Sequence, residues 1–433
     1  MRLDAFTYSA LIVQVLWPFG NAVASPSASF GLDAMSTGRA MAVTAGADPL
    51  SAAATNPARL IALHPGAIEI GADILVSSDD LKINRADAGL DTYFGMQFGV
   101  AASLPLGKFR DRLFIGASAH LPGDNLYTLY NSGASDPVVL SNGPDARRFS
   151  LDLALAVRIW ERIAIGLGAY VLPDVGASVN LDFDGQNEHS YTSIEVDYRL
   201  APVVGVYAEV IPGLHLGFGY RAAQKLSLDV PANIFISDAI GTIHTKVDGN
   251  AYAEPHRISF GIAYDFSSLT EQHLLHFAAN LDVEYDHYTD PIQTSARVWL
   301  YDDAGQVLEK PLESGTDYRD AYSIRTALDW MPLDELRVSV GYGFTKSPVP
   351  AQRYLFNVLD ADRNQIAFGA TGYLPAQWLD GFGLGISLAA KLDFYTTRDM
   401  EKYDFLPQNP GFPSIRFEGS TFAFHAALLF RFE

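Results

Sequence analysis

The feature that most constrains this chain is an alternation of apolar with small or polar residues, which begins near Gly66 and returns in segment after segment. Successive side chains of a β-strand point to opposite faces, so a period of two predicts strands with one apolar and one polar face. One segment places Phe277, Ala279, Leu281, Val283 and Tyr285 on one face and His276, Asn280, Asp282, Glu284 and Asp286 on the other. The pattern therefore predicts an all-β fold.

The lengths of the segments and of their connections favour a membrane barrel over a soluble sandwich. Many segments exceed the roughly 5–6 residues usual in soluble sheets, and their apolar faces carry aromatic residues near the ends, as in the girdles of membrane barrels. Short connections at 106–108, 160–161, 211–213, 331–334 and 375–377 alternate with long ones at 122–146, 173–192, 227–251, 288–318, 346–363 and 396–415. Short turns at one end and long loops at the other are typical of outer-membrane barrels.

These segments predict a transmembrane antiparallel β-barrel of about fourteen strands over residues 65–433. An even number of strands is usual in bacterial barrels. Hydrophobic residues make up 48% of the chain, and they are dispersed over the predicted strands. We expect the apolar faces of these strands to meet lipid.

Residues 1–24 have the layout of a secretory signal peptide. Arg2 supplies a weakly positive start, residues 10–19 an apolar core, and Ala22-Val23-Ala24 a cleavage site. The apolar run is too short to cross a bilayer as a helix. We expect cleavage after Ala24 and export of the mature chain.

Residues 25–64 are predicted to form a hatch, a plug with short helices inside the barrel. A barrel of about fourteen strands encloses a lumen that side chains alone do not fill. Within this segment, residues 36–60 are mostly Ala, Gly, Ser and Thr and contain two short motifs, Gly38-Arg39-Ala40 and Asn56-Pro57-Ala58. Asp48 before Pro49 predicts the start of a short helix, and Pro57 predicts its end.

Arg39 is the charged residue of the Gly38-Arg39-Ala40 motif. A buried Arg needs a carboxylate or carbonyl partner. We expect Arg39 to hold the hatch against a wall carboxylate such as Asp282, Glu284 or Asp286. For Asn56 and Pro57 the local pattern predicts turn chemistry.

Several motifs together resemble the long-chain fatty acid transporters of the Gram-negative outer membrane, the FadL-like channels, with their aromatic-hydrocarbon relatives. The hatch carries Gly38, Arg39 and Ala40, followed by Asn56, Pro57 and Ala58. A second motif comprises Ser347, Pro348, Val349, Pro350 and Arg353, followed by Asp362 and Arg363 at the start of a predicted strand. A third match is Phe417-Glu418-Gly419 before the final strand. The resemblance covers the mature chain.

The resemblance implies a fourteen-stranded barrel with an N-terminal hatch and passive uptake of hydrophobic molecules. It implies capture at the outer loops, an apolar pocket above the hatch, and sideways release into the membrane beside a kinked third strand. The candidate capture residues are Ile234, Phe235, Ile236 and Ile240, in a loop that could instead fold over the barrel mouth. The candidate lateral gate is Pro122 and Gly123, although the strand could simply end there.

The implied ligands are fatty acids and, as an alternative, aromatic hydrocarbons, with outer-membrane lipid as the surroundings. A monomer is expected. The formal net charge of −20 and the lack of a basic patch argue against a nucleic-acid partner. No cofactor, metal site or catalytic residue is expected, and Asp282, Glu284 and Asp286 are interpreted as a solvated lumen wall in preference to a Ca²⁺ site. A general diffusion porin, a lipid hydrolase and an adhesin remain open as alternatives.

Overall fold

The computed structural model describes residues 31–46, 49–62, 66–88, 92–106, 109, 111–123, 138–139, 149–183, 188–237, 241–269, 276–288, 294–301, 307–316, 318–351, 353, 358–374, 382–403 and 411–432. The remaining residues, which include the predicted signal peptide and cleavage site, lie outside this description. None of the helices among the described residues is long and apolar enough to cross a membrane.

Fourteen antiparallel strands form a closed barrel, which confirms the predicted fold class. They are β1 (Ala67–Ile83), β2 (Tyr93–Pro105), β3 (Leu113–Pro122), β4 (Ser150–Trp160), β5 (Ile163–Phe183), β6 (Glu188–Ile211), β7 (Leu214–Arg221), β8 (His256–Asp265), β9 (Phe277–His287), β10 (Ala321–Leu333), β11 (Leu336–Thr345), β12 (Arg363–Tyr373), β13 (Phe382–Glu401) and β14 (Ser414–Phe432). Strand β14 pairs with β1 from Ala67↔Arg431 to Ile83↔Ile415. Closure leaves no sheet edge in the barrel, as a lipid environment requires.

The two faces of the wall follow the alternation in the sequence. On β9, Leu281 and Val283 point outward and are more than 40% exposed, whereas Asp282 and Glu284 point inward and are buried. On β1, Ile70 and Ile74 are exposed while Glu69 and Asp73 are buried. Because apolar side chains lie outside and polar ones inside, the surface is that of a barrel embedded in hydrocarbon.

The two ends of the barrel differ, as most of the connection lengths predict, but the predicted long connection at 173–192 is wrong, because β5 continues to Phe183 and β6 begins at Glu188. At one end, here called the turn end, β4 and β5 are joined by 161–162, β6 and β7 by 212–213, and β10 and β11 by 334–335. At the opposite end, here called the loop end, the long segments 222–255 and 288–320 are inserted. The first strand starts at the turn end, and β14 finishes there.

The two long insertions are β-hairpins, although the sequence suggested only loops. One hairpin pairs Gln224–Ser237 with Gly241–Glu254, and the other pairs Thr294–Tyr301 with Val307–Thr316. The hairpins pair with each other through His244↔Tyr301 to Gly249↔Ala296. The first also pairs in parallel with the outer end of β5. Long insertions gain from this arrangement because their backbone groups bond one another.

The described part of the hatch contains two short helices and a 3₁₀ turn. Helix α1 spans Ala34–Gly38 and α2 spans Pro49–Thr55, and the 3₁₀ turn spans Pro57–Ala62. Pro49 opens α2 and the helix ends before Pro57, as predicted, while Asp48 lies outside the described residues. Sequence reasoning missed α1, whose signal is a capping box in which the Ser36 N–H donates to Asp33 Oδ1 at 2.6 Å.

The hatch packs against the inside of the wall in the half nearer the turn end. Its apolar residues form a buried cluster with β3 to β6: Ala52, Ala58, Leu60, Ile61, Phe114, Ala156, Ala164 and Tyr207. Inward-facing glycines let the backbone of the hatch approach the strands. A Cβ on Gly217 would lie 2.1 Å from the Thr44 carbonyl oxygen, and one on Gly205 would lie 2.1 Å from Asn56 Oδ1. Only glycine therefore fits at these two wall positions, here called the seat of the hatch.

We predict that Gly217→Ala loosens the hatch, because the added methyl must displace backbone at the Thr44 carbonyl. Overpacking of this kind costs about 1–3 kcal/mol. The expected result is a higher ion conductance in planar bilayers than that of the wild type. Gly372→Ala is the matched control, since a Cβ there meets nothing within 4 Å. Equal conductance of the two variants would contradict the steric seat.

Candidate functional site

A buried ion pair attaches the hatch to the wall. Arg39 Nε donates to Asp329 Oδ1 at 2.9 Å, and Arg39 Nη2 lies 2.8 Å from Asp329 Oδ2. Asp329 also accepts from Ser339 Oγ at 2.6 Å and from Asn280 Nδ2 at 3.2 Å. The prediction that a wall carboxylate holds Arg39 is thus consistent with the structure.

The prediction that the partner of Arg39 lies among the carboxylates of β9 was wrong. Asp282, Glu284 and Asp286 lie on β9, whereas Asp329 lies on the next strand, β10, and pairs in register with Ala278. This position is nearer the turn end than Asp282, at the level where α1 ends. Sequence spacing alone did not reveal the height of the hatch in the barrel, and that height selects the partner.

The carboxylates of β9 have other partners. Asp282 Oδ2 accepts from the Val43 N–H at 2.7 Å and from the Thr44 N–H at 2.6 Å. Glu284 accepts from Arg325 Nη2 at 3.0 Å, and Asp286 accepts from Arg257 Nε at 2.8 Å. These three residues form hydrogen bonds and ion pairs, so the interpretation as a solvated lumen wall was wrong. Among the described residues, no group of three or more His, Asp or Glu could hold a metal ion.

Asn56 connects the two halves of the hatch with each other and with the wall. Its Nδ2 donates to the Thr44 carbonyl at 2.8 Å and to the Val206 carbonyl of β6 at 3.1 Å. Its Oδ1 accepts from the Ala58 N–H at 3.2 Å, which is the local turn that the sequence predicted. Pro57 and Ala58 pack on the inward side of Gly166. The Asn56-Pro57-Ala58 motif therefore forms a turn and also attaches that turn to the barrel wall.

Further polar anchors hold the ends of the described hatch. His120 Nε2 lies 2.9 Å from the Leu32 carbonyl oxygen, and the Ala34 N–H donates to Glu69 Oε1 at 3.3 Å. Arg158 Nη2 donates to the Ile61 carbonyl at 3.0 Å. With Val206, Asp282 and Asp329, these contacts bind the hatch to β1, β3, β4, β6, β9 and β10, so no single strand positions it.

A small ionic cavity lies between the hatch and the loop end. Its volume is about 50 Å³, and four arginines line it: Arg221, Arg257, Arg325 and Arg363. Arg221 Nη2 lies 2.5 Å from Glu254 Oε2, and Arg363 Nη1 lies 3.6 Å from Asp393 Oδ2. A polar space of this size holds at most a few water molecules. The described wall directly above the hatch is therefore ionic, in contrast to the apolar pocket that the resemblance implies.

The second motif builds a hydrogen-bonded latch at the loop end, formed by Ser347, Asp360, Asp362 and Arg398. Ser347 Oγ donates to Asp360 Oδ2 at 2.5 Å, and the Ser347 N–H donates to Asp362 Oδ1 at 3.0 Å. Arg398 Nη1 donates to the Asp360 carbonyl at 2.9 Å and Nη2 to the Val349 carbonyl at 2.7 Å. The latch ties the described parts of the segment between β11 and β12 to Arg398 of β13 at the loop end.

The other residues of this motif have supporting contacts. The Pro348 carbonyl accepts from the Arg319 N–H at 2.8 Å, and the Arg353 carbonyl accepts from the Tyr403 N–H at 3.0 Å. Pro350 lines a cavity beside the latch, and Arg363 belongs to the ionic wall. The motif thus organises the mouth of the barrel.

An apolar cluster lies on the inner face of the wall at this mouth. It consists of Leu81, Leu359, Ala361, Tyr395, Met400, Ile415 and Phe417. Sequence reasoning missed this cluster. The signal is present in the strand register, because Leu81 and Phe417 have the same inward parity as the polar residues below them on β1 and β14.

At the candidate lateral gate the described ladder is continuous on the β2 side, whereas the ladder between β3 and β4 runs to His120↔Ser150. Pro122 pairs with Gln97 on β2, and the Gly123 N–H donates to the Met96 carbonyl at 2.8 Å. Of the candidate capture residues, Ile234, Phe235 and Ile236 lie on the strand Gln224–Ser237. Ile240 lies outside the described residues.

We predict that breaking the hatch ion pair from one side releases the hatch. Arg39→Met leaves the buried Asp329 carboxylate without its cation, which costs about 3–5 kcal/mol. Ion conductance should rise, and the double variant Arg39→Met with Asp329→Asn should recover much of the closure. Arg416→Met is the matched control, because its ion pair with Asp399 at 2.7 Å is exposed and screened by solvent. A double variant as leaky as the single one would contradict this reading.

The latch should be tighter in acid. Burial raises the pKa of the Asp360 carboxyl to about 6, against the hydrogen bond from Ser347 and the charges of Arg363 and Arg398. Its pKa returns to the ordinary range when the segment opens. The contribution to closure is therefore fully present below the ordinary pKa of an Asp and is lost as the pH rises through about 6.

The expected measurement is the thiol-labelling rate of Ala361→Cys divided by that of the exposed Thr397→Cys. From pH 7.5 to pH 5 this ratio should fall roughly tenfold. Asp360→Asn should abolish the change. A ratio that stays constant with pH in the wild-type background would contradict the assignment.

Comparisons with known proteins bear on the whole barrel. No family model and no curated protein matches the chain at a significant level. Among solved structures, a Pseudomonas aeruginosa FadL homologue aligns with a TM-score of 0.62 at 12% identity, over 93% of this chain and 98% of that one.

Two further solved structures are transporters of toluene. The Ralstonia pickettii toluene transporter TbuX aligns with a TM-score of 0.54 at 14% identity, over 94% of this chain and 99% of that one. The P. putida toluene transporter TodX aligns with a TM-score of 0.54 at 12% identity, over 89% and 94%. The chain therefore has the fold of the FadL-like and monoaromatic-hydrocarbon channels.

Proposed function

We propose that this protein is an outer-membrane channel for passive uptake of hydrophobic molecules. The observation that carries the proposal is a closed, lipid-facing barrel whose lumen is occupied by the chain's own N-terminal hatch. An open pore would pass small polar solutes, whereas a blocked lumen in an apolar wall suits ligands that partition into the membrane. The fold shared with FadL-like and toluene channels supports this assignment.

A general diffusion porin is the main alternative. It would have a charged constriction and no plug. The ionic residues above the hatch resemble such a constriction, but the hatch is bonded to six strands, and the ionic cavity directly above it has a volume of about 50 Å³. A lumen occupied in this way favours the plugged channel over an open pore for polar solutes.

The proposed route begins at the outer loops and ends in the bilayer. Capture is assigned to Ile234, Phe235, Ile236 and Ile240, because the sequence places an apolar cluster in this outer segment, and such clusters commonly mark binding surfaces where they face water. Transfer of an alkyl chain from water gains about 0.8 kcal/mol per CH₂. The ionic floor above the hatch opposes passage of that chain towards the turn end, which supports sideways release.

Release beside β3 follows the resemblance to the FadL-like channels. Strand β3 pairs with β2 over 97–105 and with β4 over 150–157, and these ladders are about as short as the one between β7 and β8. Pro122 and Gly123 terminate the strand. Because the ladder is continuous in this state, release requires a local parting of β3 from a neighbour.

The remaining assignments complete the proposal. Residues 1–24 act as a cleaved signal peptide, residues 25–64 as the hatch and residues 65–433 as the barrel, in a monomer of the Gram-negative outer membrane. Long-chain fatty acids are the first substrate class. Aromatic hydrocarbons are the second, since TbuX and TodX are described as toluene transporters.

Uptake into liposomes tests the proposal. Purified protein in liposomes should accelerate entry of radiolabelled hexadecanoate or toluene over protein-free liposomes, and should leave sucrose entry unchanged. Sucrose entry at the same accelerated rate would instead favour the porin. Release of fatty acid from phospholipid in the same preparation would favour a hydrolase.

Deleting residues 25–64 should convert the selective channel into a leaky one. A barrel of this size retains an aqueous lumen when its plug is absent, so ion conductance in planar bilayers should rise at least roughly tenfold. Refolded full-length protein is the control, and heat-modifiable migration on gels verifies barrel formation in both. Unchanged conductance would show that the hatch does not close the lumen.

A further inference from the structure

The inner face of β1, β13 and β14 changes its chemical character along the strands. Within the lumen it carries buried polar residues, which include Asp73, Ser77, Asp393, Thr421 and His425. Towards the loop end the same inward parity carries large apolar residues, namely Leu81, Tyr395, Ile415 and Phe417. These apolar residues are buried, so another part of the chain must shield them from the water of the mouth.

A short extended segment covers this apolar face. Leu359 is fully buried against it, and Ala361 is 3% exposed. Among the described residues, the segment pairs with another loop through Val358↔Val138 and Leu359↔Val139, and it is held by the latch described above. The described contacts of the cover are thus a short strand pair and a few side-chain hydrogen bonds.

Free space adjoins the cover. A half-open cavity of about 380 Å³ lies beside the latch, and its lining combines apolar residues with charged and polar ones: Val349, Pro350, Ala351 and Ala361 on the apolar side, and Lys346, Asp362 and Arg398 among the others. The volume falls within the roughly 300–1,000 Å³ of ligand pockets. Because the covering segment is extended, its departure would join this cavity to a slot along the apolar face, and a slot fits a linear chain better than a globular group.

We propose that this mouth cluster is an outer binding site for the alkyl chain of an amphiphile, and that Leu359 occupies the site until the ligand displaces it. This inference rests on the proposed function and locates a binding step on β1, β13 and β14 that is separate from capture at the candidate hairpin. Leu359 and the ligand exclude each other. Closure without ligand keeps the apolar face out of water.

Substitution of Leu359 gives a test with a distinctive sign. Leu359→Ala removes the competing side chain, so a photoreactive diazirine analogue of hexadecanoic acid should bind at least threefold more tightly to the variant in nanodiscs. A purely structural role for Leu359 predicts equal or weaker binding. Leu388→Ala is the matched control, because Leu388 lies on the outer face of β13 and is 45% exposed.

A reversible lock tests displacement directly. The chain contains no cysteine, so Val138→Cys with Val358→Cys introduces a single pair at register neighbours. When oxidised, this variant should lose photolabelling of the peptides that contain Tyr395 and Phe417, and reduction should restore it. Ser78→Cys with Ser420→Cys is the control, since these register neighbours on β1 and β14 need no movement.

The outcomes separate this inference from the proposed function. Uptake of hexadecanoate into liposomes by the wild type, with labelling that is indifferent to both the lock and Leu359→Ala, would overturn the mouth site and leave the channel intact. Labelling that depends on the lock, without uptake, would support the site and overturn the channel. Lock-dependent labelling together with lock-dependent uptake would support both.

Discussion

The structure depends on the closure of a hydrogen-bonded sheet inside hydrocarbon. Closure gives the backbone N–H and C=O groups of every strand a hydrogen-bond partner. It also turns one face of each strand towards lipid, so the charged side chains of the wall lie on the lumen side. These groups then need partners of their own. The hatch supplies several of them, through the Arg39 guanidinium on Asp329 and through the backbone N–H groups of Val43 and Thr44 on Asp282. The wall supplies the rest in its ion pairs. The hatch is therefore part of the charge balance of the barrel as well as its plug.

Specificity of the hatch position arises from steric and polar features acting together. Glycines such as Gly205 and Gly217 provide depressions that only backbone can enter, and polar groups on six strands define the orientation within them. Neither feature is sufficient alone, because a smooth seat without anchors would permit rotation, and anchors without a seat would hold the hatch away from the wall. A buried ion pair contributes little net stability but strongly penalises any arrangement in which its partners separate. Such a penalty favours a single position of the hatch against the wall.

The alternation in the sequence predicted the strand faces, the strand number and a plugged lumen, because a period of two is a local property. It did not predict which carboxylate meets Arg39, since the choice between Asp282 and Asp329 depends on the height of the hatch in the barrel. The outer hairpins were interpreted as loops for a similar reason: their pairing is with each other and with β5, and a pairing partner is not encoded in a segment's own period. The apolar mouth cluster was missed because Leu81 and Phe417 are indistinguishable in sequence from lipid-facing residues until the register is known.

The order of environments along the inner wall constrains how an apolar ligand can travel. The inner wall is apolar around Tyr395 and Phe417 at the loop end, which forms a first zone. Beside and below it, four arginines with carboxylate partners form a second zone, in which Arg363 is the register neighbour of Tyr395, and the hatch lies below both. An alkyl chain gains free energy in the first zone, whereas entering the second would require it to separate ion pairs without replacing them, at a cost of several kcal/mol for each pair. The descent through the lumen is therefore energetically uphill beyond the mouth. For the proposed uptake channel, this order of environments therefore favours release of the ligand sideways through the wall, without movement of the hatch.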